Sequence, residues 1–253
     1  MLYKLEGIVI RSMDYGEGNK IITLCTEHGG KVGVLIRGAK KPKSRHGALA
    51  QPFTYGQYVF FRNTGLGTLN AGELIDSHHG LREDIFKAAY ASYACELLNR
   101  VLQDEDTGAF WFRQIKACLE ALESGKDPQV IISIYELKIL QAAGYAPQLD
   151  NCISCGRECG QQETEEWISP GLGGVLCRAC KHFDPAAVLV TPRAMKLLRL
   201  FARLDLTRLG NVNVSEATRN EIKGIMRKFM DAQLGMQLKS RNFLDQLDKY
   251  DIQ

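Results

Sequence analysis

The chain has 253 residues, 45% of them hydrophobic and 24% charged, so we expect a globular protein with a sizeable buried core. No apolar stretch approaches the roughly 20 residues that span a bilayer. The first residues carry charges where a signal peptide requires an apolar run. These features exclude a membrane protein, and we expect the chain in the cytoplasm, where cysteine thiols stay reduced.

Residues 1 to about 80 have the pattern of short strands separated by glycine-rich turns. The predicted strands are Leu2–Ser12, Lys20–Thr26, Lys31–Arg37, Phe53–Arg62 and Leu69–Ser77. Five such strands predict a small barrel, and we favour an OB-fold-like barrel. Periodicity alone fits an SH3-like barrel equally well.

From about Leu81 the apolar residues recur at helical spacing, which predicts a mainly α-helical domain. Asp127 and Thr191 each stand before a proline, the pattern of a helix N-cap, and Ser215 is a third predicted cap. The predicted class is therefore α+β. The predicted domains are an OB-fold-like domain at 1–80 and a helical domain at 81–253, with a cysteine-rich element inserted at 150–183.

Two pairs of cysteines in that element have the spacing of metal ligands. Cys152 and Cys155 form one CxxC pair, Cys177 and Cys180 form another, and 21 residues separate the pairs. Each pair suits a knuckle that directs two thiolates at one metal, and two knuckles complete a tetrahedral site. The sequence predicts one structural Zn²⁺ per chain, because four thiolates leave no open position for catalysis.

Other interpretations of the cysteines remain open. Cys159 could replace Cys155 as a ligand, and His182 is a further candidate. A CxxC redox enzyme is another interpretation. Such an enzyme requires a helix that begins after the CxxC motif, and no helix is expected after the first pair. Cys25, Cys95 and Cys118 lie on apolar faces and fit ordinary buried thiols.

Positive charge is concentrated in one part of the chain. The net charge is +3, but the segment from His28 to Gly72 contains seven basic residues and no acidic one. Six of these cations are candidate DNA contacts: Arg37, Lys40, Lys41, Lys43, Arg45 and Arg62. The alternative is a solvated loop that only aids solubility.

Aromatic residues in the fourth predicted strand are weaker evidence for nucleic-acid binding than the basic segment. Tyr58 and Phe60 share one strand face with Arg62, where they could stack on bases, or their rings could pack under the helical domain. The adjacent His78 and His79 are expected at the surface. No P-loop, GxGxxG, HExxH or GxSxG motif occurs, so we expect no enzymatic activity.

The order of these parts resembles the RecO family of recombination mediators. The segments that carry the resemblance are VLIRGAKKPKSRHGALAQPF, AAGYAPQLDNCISCG, GGVLCRAC and LGMQLKSRNFLDQL. The resemblance covers essentially the whole chain in the right order, although no single motif decides it. It implies an N-terminal OB-fold, a helical domain and an inserted zinc element.

The resemblance also implies a function without a chemical step. Members bind single- and double-stranded DNA and anneal complementary strands, even when single-stranded-DNA-binding protein coats them. They contact the acidic C-terminal tail of that protein, partner with RecR and help RecA load onto DNA, which implies association with the nucleoid. We place the tail site in the helical domain, at the basic residues Arg219, Lys223, Arg227 and Lys228. A protein with an OB-fold and a zinc ribbon that serves RNA or transcription is the alternative.

Overall fold

The computed structural model describes residues 1–103, 109–160, 165–210 and 212–249. The chain forms two compact units, one of Met1–Gly125 with Leu238–Gln253 and the other of Lys126–Gln237. The predicted boundary near residue 80 marks the change from strands to helices, and as a domain boundary it stays a prediction. Part of the predicted inserted element, 161–164, lies outside the described residues.

A closed five-stranded barrel forms the start of the first unit. Its strands are β1 (Leu2–Tyr15), β2 (Asn19–Thr26), β3 (Gly30–Ile36), β4 (Tyr55–Phe61) and β5 (Gly67–Asp76). They follow the order β1-β2-β3-β5-β4, and β4 pairs with β1 to close the barrel. All pairs are antiparallel except the short parallel contact of β3 with β5. This arrangement confirms the predicted OB-fold-like barrel.

The interior of the barrel corrects the expectation for the fourth strand. Tyr58 and Phe60 are fully buried among the apolar side chains of the barrel core, so neither is a stacking platform. They also do not pack under the helices. Tyr55 lies on the other face, in edge contact with Phe112 of the helical part. Because both faces of β4 are aromatic, alternation alone could not tell the interior from the exterior.

One turn of 3-10 helix, Ala48–Ala50, lies in the connection from β3 to β4 and packs into the barrel core. Leu49 is buried in the barrel core, and its carbonyl accepts a hydrogen bond from the Tyr58 hydroxyl at 3.1 Å. Glycines make room for it, because a Cβ on Gly72 would lie 2.6 Å from Leu49 Cδ1. This turn fixes the end of the long β3–β4 connection.

Within the described residues, four helices complete the first unit. They are α1 (His79–Glu83), α2 (Ile85–Val101), α3 (Ala109–Glu123) and α7 (Lys239–Lys249), the last of which arrives from the far end of the chain. Asp84 caps α2 by accepting from the backbone N–H groups of Phe86 and Lys87. The three cysteines expected on apolar faces, Cys25, Cys95 and Cys118, are all buried.

His78 is not at the surface, contrary to expectation. Only 1% of it is exposed, and its backbone takes a left-handed conformation with φ of 45°. The ring Nδ1 lies 2.6 Å from the Glu123 carboxylate, which also accepts from the Gly80 backbone N–H. The buried position of His78 therefore depends on Glu123, which lies 45 residues later in the chain. His79 is exposed, as predicted.

The second unit combines three helices with a small sheet. The helices are α4 (Pro128–Ala142), α5 (Pro192–Arg203) and α6 (Glu216–Leu234), and the strands are β6 (Glu166–Ser169), β7 (Gly174–Cys177) and β8 (Val188–Val190). Asp127 and Thr191 cap α4 and α5 through their side chains, as predicted. Ser215 is the N-cap of α6, but its side chain makes no capping hydrogen bond to the backbone. The antiparallel sheet, in the order β7-β6-β8, was not predicted because its strands are too short to show alternation.

Candidate metal centre and nucleic-acid surface

The four cysteines of the two CxxC pairs come together at one point of the second unit. The sulfur atoms of Cys152, Cys155, Cys177 and Cys180 all lie within 4.8 Å of one another. Four sulfurs at Zn–S bonds of about 2.3 Å stand roughly 3.8 Å apart in a tetrahedron. Cys155 Sγ and Cys177 Sγ are 3.8 Å apart, so the spacing fits a metal ion of this size.

Two knuckles hold these sulfurs through backbone hydrogen bonds. The Gly156 N–H donates to the Cys152 carbonyl at 2.9 Å, and the Cys180 N–H donates to the Cys177 carbonyl at 2.9 Å. Gly156 takes a left-handed conformation with φ of 72°, which favours glycine there. The CxxC spacing is therefore the spacing of a tight turn that presents both thiols on one side.

The electrostatic environment prepares one thiol for ionisation. Burial alone would raise the pKa of Cys152, but the backbone N–H groups of Cys177, Cys155 and Ser154 lower it to about 6. Hydrogen bonding to Ser154 favours the Cys180 thiolate, yet desolvation and the neighbouring sulfurs raise its pKa to about 12. Four thiolates at this spacing suit a divalent metal ion, whose positive charge would offset theirs.

The other candidate ligands lie elsewhere. Cys159 Sγ faces the Arg157 carbonyl at 3.7 Å, and it is not part of the sulfur cluster. His182 packs its ring against Phe183, with ring centroids 4.2 Å apart. The four cysteines that could hold a metal ion are thus those that the spacing predicted.

A buried ion pair ties the metal-ligand segment to helix α5. Arg199 donates to the Leu149 carbonyl at 2.8 Å and to the Glu166 carboxylate at 2.9 Å. Glu166 is buried and stands at the start of β6, while Leu149 precedes the first knuckle. Arg199 was not predicted, because no local pattern links it to these partners.

The basic segment of the first unit is held in place by the hairpin of β1 and β2. The Lys40 N–H donates to the Gly18 carbonyl at 3.1 Å, and the Gly38 N–H donates to Asn19 Oδ1 at 2.9 Å. Together with the Ala48–Ala50 turn, these contacts fix both ends of the segment. The cations are therefore presented by an ordered loop.

The loop encloses a surface cavity of about 490 Å³. Its basic lining consists of Arg37, Lys41, Lys43, Arg45 and His46. Four of these are predicted DNA contacts, whereas His46 was not predicted. Several cations around one concave surface attract a polyanion more strongly than the same cations spread apart.

Two of the predicted cations lie outside this cavity. Lys40 Nζ forms an ion pair with Asp14 at 2.8 Å, and this contact, with a second one from Lys20, holds the pKa of Asp14 below its ordinary value. Arg62 is half-buried just after β4, where its carbonyl accepts a hydrogen bond from the N-terminal amine. Lys40 thus anchors the basic loop to β1. Arg62 lies outside this loop, just after the C-terminal end of β4.

The four basic residues predicted for the tail site lie on α6, which also carries a buried apolar stripe. Arg219 is only 32% exposed at its side chain and forms an ion pair with Asp127 at 2.7 Å. Lys223 and Arg227 are half-buried, and Lys228 is exposed. The pairing of Arg219 links α6 to the N-cap of α4, a structural task that competes with binding a partner.

Family models match both parts of the chain. The model described as Recombination protein O N terminal matches residues 1–78, and Recombination protein O C terminal matches residues 82–242. The chain belongs to the RecO family. Family membership places the chain in DNA repair and recombination.

Individual relatives of the RecO family agree over the full length. The chain is 43% identical to DNA repair protein RecO of Bacillus subtilis (strain 168) over 248 residues, which is 98% of this chain and 96% of that protein. It is 42% identical to the RecO protein of Halalkalibacterium halodurans over the same shares, and 42% identical to that of Bacillus cytotoxicus over 100% of both chains. Among the described residues, no helix is both long and apolar enough to cross a membrane.

Proposed function

We propose that this chain is a recombination mediator that binds single- and double-stranded DNA and anneals complementary strands. With RecR, it helps RecA load onto DNA coated by single-stranded-DNA-binding protein. The observation that carries the proposal is the cavity lined by Arg37, Lys41, Lys43 and Arg45 on an OB-fold-like barrel. Such barrels bind oligonucleotides through faces and loops of this kind.

The mechanism is charge neutralisation and scaffolding without a chemical step. Two DNA strands repel each other through their phosphates, and bound cations reduce this repulsion by neutralising phosphate charge. The release of condensed counterions favours this binding. Four phosphate contacts at about 0.7 each give a log–log salt slope of roughly −3 for a single strand. Base pairing then supplies the free energy of annealing, so no nucleotide hydrolysis is required.

The metal in this proposal is one structural Zn²⁺ held by Cys152, Cys155, Cys177 and Cys180. Its support is the match of the 3.8 Å sulfur spacing to tetrahedral zinc, together with the thiolate-favouring environment of Cys152. When bound, the metal supplies charge neutralisation to the thiolates and cross-links the two knuckles. The chain's own contribution is the backbone geometry that presents the sulfurs.

The partner surface for the acidic tail of single-stranded-DNA-binding protein is proposed on α6. Lys228 is an exposed cation of this surface, Lys223 and Arg227 are half-buried in it, and Arg219 forms an ion pair with Asp127. Reversing Lys228 to Glu should weaken tail binding without unfolding the helix, because this side chain is exposed. Unchanged tail affinity for that variant and for Arg227→Glu would contradict the placement.

The decisive experiment measures annealing of two labelled complementary strands coated with single-stranded-DNA-binding protein. We expect fast annealing without nucleotide that requires the acidic tail of the coating protein. Matched RNA strands serve as the control for an RNA-directed protein, because only RNA offers the 2′-hydroxyl. A protein that binds bare DNA but leaves coated strands apart is not a mediator, and this result would overturn the proposal.

A further inference from the structure

A second concave surface lies in the first unit, away from the basic loop. This cleft has a volume of about 630 Å³ and lies between β1, the segment before β4, α2 and the start of α7. Ile10, Phe53 and Cys95 form its apolar floor, and each of these is more than nine-tenths buried. A volume of this size is typical of sites that enclose a small organic group.

Two irregularities of the backbone meet at the cleft. The pairing of β1 with β2 shifts register between Val9 and Arg11, so Ile10 is the extra residue of a β-bulge. Phe53 takes a left-handed conformation with φ of 71°, which side chains other than glycine rarely adopt. Bulges and strained residues are enriched at binding sites, where they direct side chains at a ligand.

The rim of the cleft is positively charged. Arg11, Arg100 and Lys239 line it and are exposed, and within the described chain the side chains of Arg11 and Lys239 form no ion pair. The acidic residue in the lining, Glu96, is occupied by hydrogen bonds from the start of α7. An anionic ligand with an apolar or aromatic part fits this combination of rim and floor.

We propose that the cleft binds one unstacked nucleotide of single-stranded DNA, with the base on the apolar floor and the flanking phosphates at Arg11, Arg100 and Lys239. Asn99 also lines the cleft, and a carboxamide offers the donor and the acceptor that a base edge requires. The basic loop is only a few residues away along the chain, and this proximity favours a nucleotide of a strand bound there as the occupant. The inference rests on DNA binding as the proposed function.

One strand can reach both the cleft and the basic loop. Only residues 46–51 separate Arg45 of the loop from Pro52 of the cleft lining, so the two sites stand at most about 25 Å apart. An OB-fold site covers about 4 to 16 nucleotides, which suffices for this distance. Because the bases of a duplex are paired and stacked, the cleft should add affinity for single strands and none for duplex DNA.

The test compares three variants of the full chain on an oligothymidylate strand and on a duplex. The first variant combines Arg11→Gln, Arg100→Gln and Lys239→Gln, and the second is Ser92→Phe, which fills the cleft without changing charge. The third combines Lys4→Gln, Arg113→Gln and Lys196→Gln, and it removes the same charge from exposed positions outside the cleft. Circular dichroism and thermal unfolding of each variant report, independently of DNA binding, that the chain is folded.

We expect both cleft variants to lower single-strand affinity about tenfold and to leave duplex affinity within about twofold. The triple cleft variant should also reduce the magnitude of the single-strand salt slope by about 2, whereas Ser92→Phe should leave the slope unchanged. The charge control should match the wild type on both ligands.

Several results would overturn the inference. An equal loss for the charge control, an equal loss for duplex DNA or an unaffected Ser92→Phe variant would each show that the cleft holds no base. The same conclusion follows if the cleft variants lose an acidic peptide ending in phenylalanine and keep single-stranded DNA. Failure of the wild-type chain to bind either DNA would instead contradict the proposed function itself.

Discussion

Glu96 on α2 accepts the backbone N–H of Ser240 at 2.8 Å, across 144 residues of sequence. The same carboxylate accepts from the Ser240 hydroxyl and from the Lys239 N–H, so it satisfies donors at the start of α7 that have no partner within that helix. Burial acts to raise the pKa of Glu96, but the hydrogen bonds from Ser240 and Lys239 outweigh it and lower the pKa. This side chain therefore caps the start of the last described helix and links it to α2.

Replacing Glu96 by Ala should destabilise the protein by about 1–2 kcal/mol at neutral pH, because the donors of α7 lose a charged acceptor. Since folding lowers the pKa of Glu96, its contribution is complete at neutral pH and is lost as the pH falls through the folded value, below the ordinary 4.5. Denaturant titrations at pH 7 and at pH 4 measure both effects. Glu17→Ala is the matched control, because Glu17 is exposed in the β1–β2 turn. Equal pH dependence of the two variants would contradict this assignment.

Removal of the metal should unfold the second unit in part. We expect one zinc per purified chain, loss of that zinc in Cys155→Ser and Cys177→Ser, and destabilisation by several kcal/mol because the thiolates and knuckles lose their cross-link. Elemental analysis with thermal unfolding checks this. Cys159→Ser is the internal control and should keep both zinc and stability, since its sulfur lies outside the cluster. Zinc retention by Cys155→Ser would argue for another ligand set.

The neighbouring histidines should respond differently to the same substitution. His78→Leu leaves the Glu123 carboxylate without its ring partner, and we expect a loss of about 1–3 kcal/mol in the free energy of unfolding. His79→Leu removes an exposed ring and should change stability by less than about 0.5 kcal/mol. Urea denaturation of the two variants provides the comparison, and similar values for both would show that the His78 contact contributes nothing.

Lysines of the basic loop should separate into two kinds. Neutralising Lys41 and Lys43 together should weaken binding to every DNA sequence and reduce the magnitude of the salt slope by about 1.4, because both line the cavity. Lys40→Gln should instead act through the loop, because Lys40 anchors it to Asp14, and amide exchange in residues 37–46 should become faster. Salt titrations of DNA affinity distinguish the two variants. A fall in slope of about 0.7 for Lys40→Gln alone would assign Lys40 to the phosphates.

Features that depend on neighbours in the sequence were predicted well. The CxxC spacing is set by the tight turn that each knuckle makes, so the four ligand candidates could be read directly from the sequence. The caps at Asp127 and Thr191 and the five strands of the barrel are local in the same sense. The long acid-free segment marked the position of the basic loop.

Features that depend on distant partners could not be predicted. The burial of His78 requires Glu123, which lies 45 residues later, and the pairing of Lys40 requires the β1–β2 hairpin. The aromatic residues of β4 alternate on two apolar faces, and Tyr58 and Phe60 become interior through packing with residues of other strands and with Leu49 in the barrel core. The cleft brings β1, α2 and α7 together, and no stretch of sequence contains all three.

Helix α7 completes the first unit, although the chain passes through the whole of the second unit before reaching it. During synthesis, the barrel and α2 therefore emerge from the ribosome long before the helix that Glu96 captures. While residues 126–237 are translated, the part of α2 that packs against α7 stays exposed to solvent. Because domains tend to fold as they emerge, the second unit can reach its native state first, and the docking of α7 then becomes a late event in the maturation of the protein.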